Sequence, residues 1–227
     1  RAVRTSEGHL AFVYKAAGRF PYQDMIVKKN KGTVTVAAGA ATVTQKASRS
    51  LVVYGQTTTL SGAVSSKVSG QTVTVYAKPF GQTQFATAGS AVSSTNGNWS
   101  FIVKPAMQTT YEARWTVSTT TAMSTPAVVN VRPQIVFRVK AAKRRSVTFF
   151  TKVRGARPFG GKFVNLQRKN RLGRWVTLRK VTLGATSSAT FKSRLPSGAS
   201  RVRLFMPQAQ AAPGYVAGIS RTLALTR

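Results

Sequence analysis

The chain has 227 residues, 35 of them Lys or Arg against three acids, for a net charge of +32, and no cysteine. Disulfides, thiol catalysis and thiolate metal sites are excluded together, so stability has to come from packing. A hydrophobic share of 42%, spread in short runs, excludes a disordered basic tail. No run approaches the ~20 apolar residues that span a bilayer, so no membrane insertion is expected.

The charge is dealt unevenly. Residues 1–50 carry nine basic and two acidic side chains, residues 51–132 five and one, and residues 133–227 twenty-one and none. Such a field resists compaction unless counterions or a polyanionic partner relieve it. The sequence opens on Arg1 with residues that read as mid-domain and without the n-region and h-region of a leader, so it is expected to be a piece of a longer precursor.

Strand signals dominate: runs rich in Val, Thr, Phe and Tyr alternate with Gly, Pro, Asn and Ser clusters about every 8 to 12 residues, the pattern of a sandwich or barrel, and no helix is predicted. The first runs are Ala11-Phe12-Val-Tyr14 through Tyr22, then Gly32-Thr-Val34-Thr-Val36. They resemble the last two strands of a cupredoxin-like domain, in which a Tyr precedes the Cys, His and Met that bind copper. Tyr22 and Gly32 keep the outer spacing, but Asp24, Val27 and Asn30 stand at the ligand positions. Without thiolate, imidazole and thioether no copper can be held, and His9 and Met25 cannot build a site alone. Residues 1–45 are therefore expected to be the truncated end of a copper-free β domain.

Further runs fall at residues 57–64, 72–78, 99–103, 111–117, 135–140, 146–153, 163–169, 175–183 and 201–205. They repeat: Gly70-Gln-Thr-Val73-Thr-Val75 matches Gly161-Lys-Phe-Val164-Asn-Leu166 at an offset of 91 residues. Downstream, Phe85 falls on Trp175, Trp99-Ser-Phe101 on Ala189-Thr-Phe191, and Tyr111-Glu-Ala113-Arg-Trp115 on Arg201-Val-Arg203-Leu-Phe205. Two domains of immunoglobulin size follow, at residues 46–132 and 133–227, jointed at Arg132-Pro133. The motifs Val53-Tyr-Gly55-Gln through Leu60-Ser-Gly62, Asn96-Gly97-Asn98-Trp99, and Leu166-Gln-Arg168 with Gly173-Arg-Trp175 resemble the tandem Ig-like repeats of bacterial secreted and cell-surface proteins. That resemblance implies two Ig-like β-sandwiches in an all-β chain, exposed outside the cell as spacer, stalk or adhesive module. It implies no ligand.

The inventory for acid–base chemistry is Glu7, Asp24, Glu112 and His9, none paired by spacing. Glu112 alternates with the core candidates Tyr111, Ala113 and Trp115 and shares its side with Arg114, which predicts a surface ion pair. No G-x-S-x-G elbow occurs, Gly160-Gly161 precedes a strand and reads as a turn, and the sequon at Asn98 follows a hairpin-type Asn96-Gly97. No catalytic residue, metal site or cofactor is predicted.

Alternation places Arg138 and Lys140 opposite Phe137 and Val139, and Arg201 and Arg203 opposite Val202 and Leu204, so these cations are expected to face solvent. Lys143, Arg144, Arg145, Arg168, Lys169, Arg171, Arg174, Arg179 and Lys180 add loop and strand-end positions. Solubility alone does not explain them, because a solubilising surface is mixed in sign. The expected partners are anionic cell-envelope or matrix polymers, with non-specific binding of nucleic acid as the alternative and a spacer in a larger secreted enzyme as the third reading. Strand parity puts Trp175, Thr177 and Arg179 on one face, where the indole could stack on a sugar or base. The counterpart Phe85 instead argues for core packing.

Overall fold

The computed structural model describes residues 2–4, 10–12, 18–23, 31–36, 39–143 and 146–226. The chain divides into two compact units, residues 1–41 and 42–227. In the first unit β1 (Ala2–Arg4) pairs with β2 (Leu10–Phe12), and β3 (Gly18–Gln23) with β4 (Lys31–Val36), all antiparallel. Tyr22 sits directly opposite Gly32, whose missing side chain leaves room for the ring. Asp24, Val27, Asn30, His9, Met25 and Glu7 lie outside the described residues.

The second unit is all-β apart from a 3-10 turn at Thr95–Gly97 and a four-residue helix at Gln208–Ala211. Its first half runs β5 (Lys46–Ala47), β6 (Leu51–Val53), β7 (Thr58–Ala63), β8 (Thr72–Pro79), β9 (Ala86–Val92), β10 (Asn98–Val103), β11 (Thr109–Val117), β12 (Thr120–Met123) and β13 (Ala127–Arg132). One sheet has the order β10-β7-β5, and the facing sheet β6-β13-β11-β8-β9 with β12 on the flank of β11. β6 joins β13 in parallel, which switches the chain from one sheet to the other near its start. This is the crossed-over sandwich of the immunoglobulin class.

Alternation builds its core. β11 turns Tyr111, Ala113 and Trp115 inward, and they meet Val73, Val75, Leu60 and Trp99 from the neighbouring and facing strands, all less than a tenth exposed. The turn before β10 requires its glycine: Gly97 has φ +73, and an added Cβ would stand 2.7 Å from the carbonyl oxygen of Val64. That turn links strands of different sheets, since β9 and β10 belong one to each. The Asn96-Gly97 pair therefore makes a crossover where the sequence pattern suggests a hairpin.

The second half follows the same plan: β14 (Gln134–Lys143), β15 (Ser146–Arg154), β16 (Phe163–Lys169), β17 (Trp175–Thr182), β18 (Ser188–Arg194), β19 (Ser200–Met206), β20 (Gly218–Ile219) and β21 (Leu223–Leu225). The sheets are β14-β15-β18 and β17-β16-β19-β20, with β21 also on β19. Phe149 forms the centre of the core, its ring 5.1 Å from Phe137 and 5.5 Å from Phe191. Burial phase corrects one correspondence read from the sequence. Val202, Leu204 and Met206 are the inward residues of β19, while Arg201, Arg203 and Phe205 point out, so the buried positions answer Tyr111, Ala113 and Trp115 at the offset of 91.

Only Pro133 separates β13 from β14, and the two sandwiches are tied again from the other side of the joint. The buried Tyr215 donates its hydroxyl to the carbonyl of Ala106 at 2.6 Å and accepts from the amide of Ala156 at 2.6 Å. Gln108 donates its amide to Gly214, and Val216 to Val131. One ring thus bonds both sandwiches at once, and burial raises its pKa above the ordinary tyrosine value. The joint acts as a clamp.

Candidate functional site

An acid-free domain has to satisfy its guanidinium and ammonium groups without carboxylates, and the structure shows two substitutes. Backbone carbonyls accept from some: Arg157 reaches Ala211, Ala212 and Pro213, Arg179 reaches Lys192, and Arg221 reaches Phe137. Aromatic faces hold others: Arg138 stands 4.6 Å and Lys140 5.9 Å from the Phe150 ring centre, Lys180 4.1 Å from Phe163, and Arg203 4.1 Å from Trp175. The single ion pair among the described residues, Arg114 to Glu112 at 2.6 Å, belongs to the first sandwich. Glu112 is only 9% exposed, beneath Arg114 as that guanidinium lies over Tyr76, so the expected surface pair is a covered one. Tyr76 is the cross-strand neighbour of Glu112.

Sorting by partner separates the predicted polyanion contacts. Lys143, Lys169, Arg171, Arg174 and Arg201 are exposed, and their side chains have no partner among the described residues. Arg194, which composition alone did not single out, joins them. Their place follows from the register. β14 starts at the joint and ends at Lys143, which pairs with Ser146, which in turn pairs with Arg194. In the other sheet Lys169 pairs with Trp175, and the hairpin between them carries Arg171 and Arg174. β19 begins beside this hairpin at Ser200 and Arg201, and runs back to Met206 near the joint. All six cations therefore gather at the end of the sandwich that points away from the clamp. Arg144 and Arg145 lie outside the described residues.

Four expectations need correction. Arg203 is half-buried, stacked on Trp175 with its Nε donated to Gln167 at 3.0 Å, and desolvation lowers its pKa from the ordinary arginine value. Arg168 lies inside β16 with the phase of Val164 and Leu166, so its stem points toward the core rim and its buried Nε has no protein partner. Arg179 leaves the Trp175 face, because the register slips between Leu166 and Gln167 and makes Leu178 an extra residue on β17. From there its guanidinium caps Lys192 on the open edge of β18. Trp175 itself is half-buried, neither core nor free platform, since Arg203 occupies its face. Phe85 is likewise half-buried, with the Lys78 ammonium 5.0 Å from its ring centre.

The groove between the β16–β17 hairpin and the start of β19 is lined by Lys169, Arg171, Gly173, Ser200, Arg201 and Thr226. The hairpin holds its shape through Asn170, whose Oδ1 accepts from the Arg174 amide at 2.9 Å and whose amide donates to Arg174 at 2.8 Å. That bracing keeps the Arg171 and Lys169 stems on the groove side.

No protein-family model matches the chain, and no curated protein sequence matches it either. Among solved structures, the chain is similar to the chicken interferon gamma receptor alpha chain at 9% identity and a TM-score of 0.49, covering 83% of this chain and 98% of that one.

Proposed function

We propose that this chain is a non-enzymatic extracellular module, structural or adhesive, whose second sandwich presents its free end to anionic polymers of a cell envelope or matrix. The observation that carries this reading is the clustering of six unpartnered cations at the end opposite the clamp, against Lys152, Arg154 and Lys162 toward the joint, while other cations of the domain are taken up by carbonyls and rings. Charge of one sign on a projecting end raises the local concentration of a polyanion and speeds its capture. The clamp at Tyr215 supports the same reading, because it fixes the direction in which that end points. No helix among the described residues is long and apolar enough to cross a membrane.

The test is binding of the chain to a glycerol-phosphate polymer, duplex DNA and a neutral glycan across a salt series. Both polyanions should bind at low salt and be released as salt rises, with a log–log slope that reports the number of phosphates neutralised. Reversing Lys143, Arg171, Arg174 and Arg201 to Glu should lower that slope by about 3 to 4. Retention by the neutral glycan, or an unchanged slope in the reversed variant, rejects the proposal. A marked preference for DNA at matched salt moves the assignment to nucleic acid.

A further inference from the structure

We infer that the groove of Lys169, Arg171, Ser200 and Arg201 is a discrete site for one tetrahedral oxyanion, a phosphate or sulfate group borne by the polymer. This rests on the reading above and sharpens it from a diffuse field to a place. The three cations arrive from separate pieces of backbone: Lys169 from the end of β16, Arg171 from the hairpin tip and Arg201 from the start of β19. None has a partner among the described residues, and no side chain in residues 133–227 is a carboxylate that could draw them off. Donors converging from three directions suit an anion with several free oxygens; a planar carboxylate offers two, arranged for a single fork.

A second observation points the same way. Ser200, which borders the groove, is only 5% exposed, and its Oγ, on the inward side of β19 with Val202 and Leu204, is buried without any hydrogen-bond partner. Buried hydroxyls are almost always paired, so an unpaired one at the edge of this groove lacks an acceptor that the protein does not supply. Gly173, with φ +77, opens the same wall: it carries no side chain between the Lys169 stem and the groove. The other basic concavity, around Arg179, Lys192 and Arg194, lacks these features, because Arg179 is already committed to the Lys192 carbonyl.

The experiment is an NMR titration of the full chain with sulfate, inorganic phosphate and acetate at constant ionic strength, following amides of residues 171–174, 199–201 and 224–226. Sulfate and phosphate should give saturable shifts confined to these amides, and acetate should give none. Replacing Lys169 and Arg201 by Ala should weaken the site at least about tenfold, and S200A about three- to tenfold, as expected for charged-group hydrogen bonds. The control removes the same charge near the joint, at Arg154 and Lys162, and should change affinity less than about twofold, the effect of a distant screened charge. Shifts spread over the domain without saturation, acetate binding as well as sulfate, or equal losses in groove and control pairs would each overturn the site. The same variants on a glycerol-phosphate polymer and a sulfated glycan, with a polyuronate beside them, tell which ester is preferred. If all three polymers bind but the groove pair matches the control pair, the discrete site is wrong and the diffuse reading stands. If no polymer binds, the proposed function fails while the sulfate titration still judges the groove.

Discussion

The two sandwiches are built to one strand order, yet residues 51–132 carry +4 and residues 133–227 carry +21 with no acid. The fold therefore does not need the charge, and the comparison shows what carrying it requires. In the first sandwich Arg114 has a carboxylate as well as a ring. In the second, Arg157, Arg179 and Arg221 use main-chain carbonyls, Arg138 and Lys180 use rings, and Arg203 uses a ring and the Gln167 side-chain oxygen. Carbonyl and ring contacts fix a cation without neutralising it. The net field survives folding, and six of its unpartnered cations share one end.

The strongest way to break the comparison is to weaken both cores equally and see which one salt repairs. Phe149→Ala and Trp99→Ala each remove a ring from the centre of a core, at a cost of about 3–5 kcal/mol. In the second sandwich that loss adds to charge repulsion, which about 1 M salt screens to within roughly 3 Å. Amide-exchange protection of β15 in Phe149→Ala should rise with sodium chloride, whereas protection of β7 in Trp99→Ala should not. Equal salt responses would mean that repulsion is a minor term and that the two halves are energetically alike.

A finer test separates cations inside the basic sandwich. Arg157 is half-buried, bonds the carbonyls of Ala211 and Ala212, and lies 4.7 Å from the Phe159 ring centre beside Tyr215. Arg157→Ala should cost about 2–3 kcal/mol, because it strands buried carbonyls that a charged donor had satisfied. Arg171→Ala should leave stability within about 0.5 kcal/mol of the parent, as exposed substitutions generally do, or raise it by relieving repulsion. Urea midpoints of the two variants decide it. If both fall equally, the division into partnered and unpartnered cations has no energetic content.

Period-two alternation carried most of what the sequence could say. It located the longer strands of both sandwiches, though not β9 or β12, and turned Val73, Val75, Val164 and Leu166 inward, where all four are fully buried. It failed where the count slipped. The extra Leu178 took Arg179 off the Trp175 face, and the β19 phase put Arg203 against an indole from the neighbouring hairpin, neither of which a single strand records. The grouping at the distal end was also illegible, because Lys143, Lys169, Arg194 and Arg201 are scattered along the chain and meet only through the sheet register. Acid depletion was the visible signal, and it pointed to the domain without pointing to its end.

The smallest effect at neutral pH distinguishes the halves by what fills one equivalent position. β11 buries Tyr111 where β19 buries Val202, and burial, only partly offset by a hydrogen bond with Thr109, pushes that phenol up to about 12. Since the folded pKa lies above the unfolded one, the native state holds its proton more tightly. The associated stability is complete below pH ~10 and is lost as pH rises toward 12, where the unfolded chain ionises first. Tyr215 at the joint shifts in the same direction for the same reason. Alkaline titration followed by tyrosinate absorbance and by amide signals of each sandwich should therefore show the first sandwich and the joint loosening together. Tyr111→Phe should move the transition in the first sandwich to higher pH and leave pH 7 stability almost unchanged. If β16 and β19 lose their signals before β8 and β11 do, the buried Tyr111 is not what sets the alkaline limit of the first sandwich relative to the second.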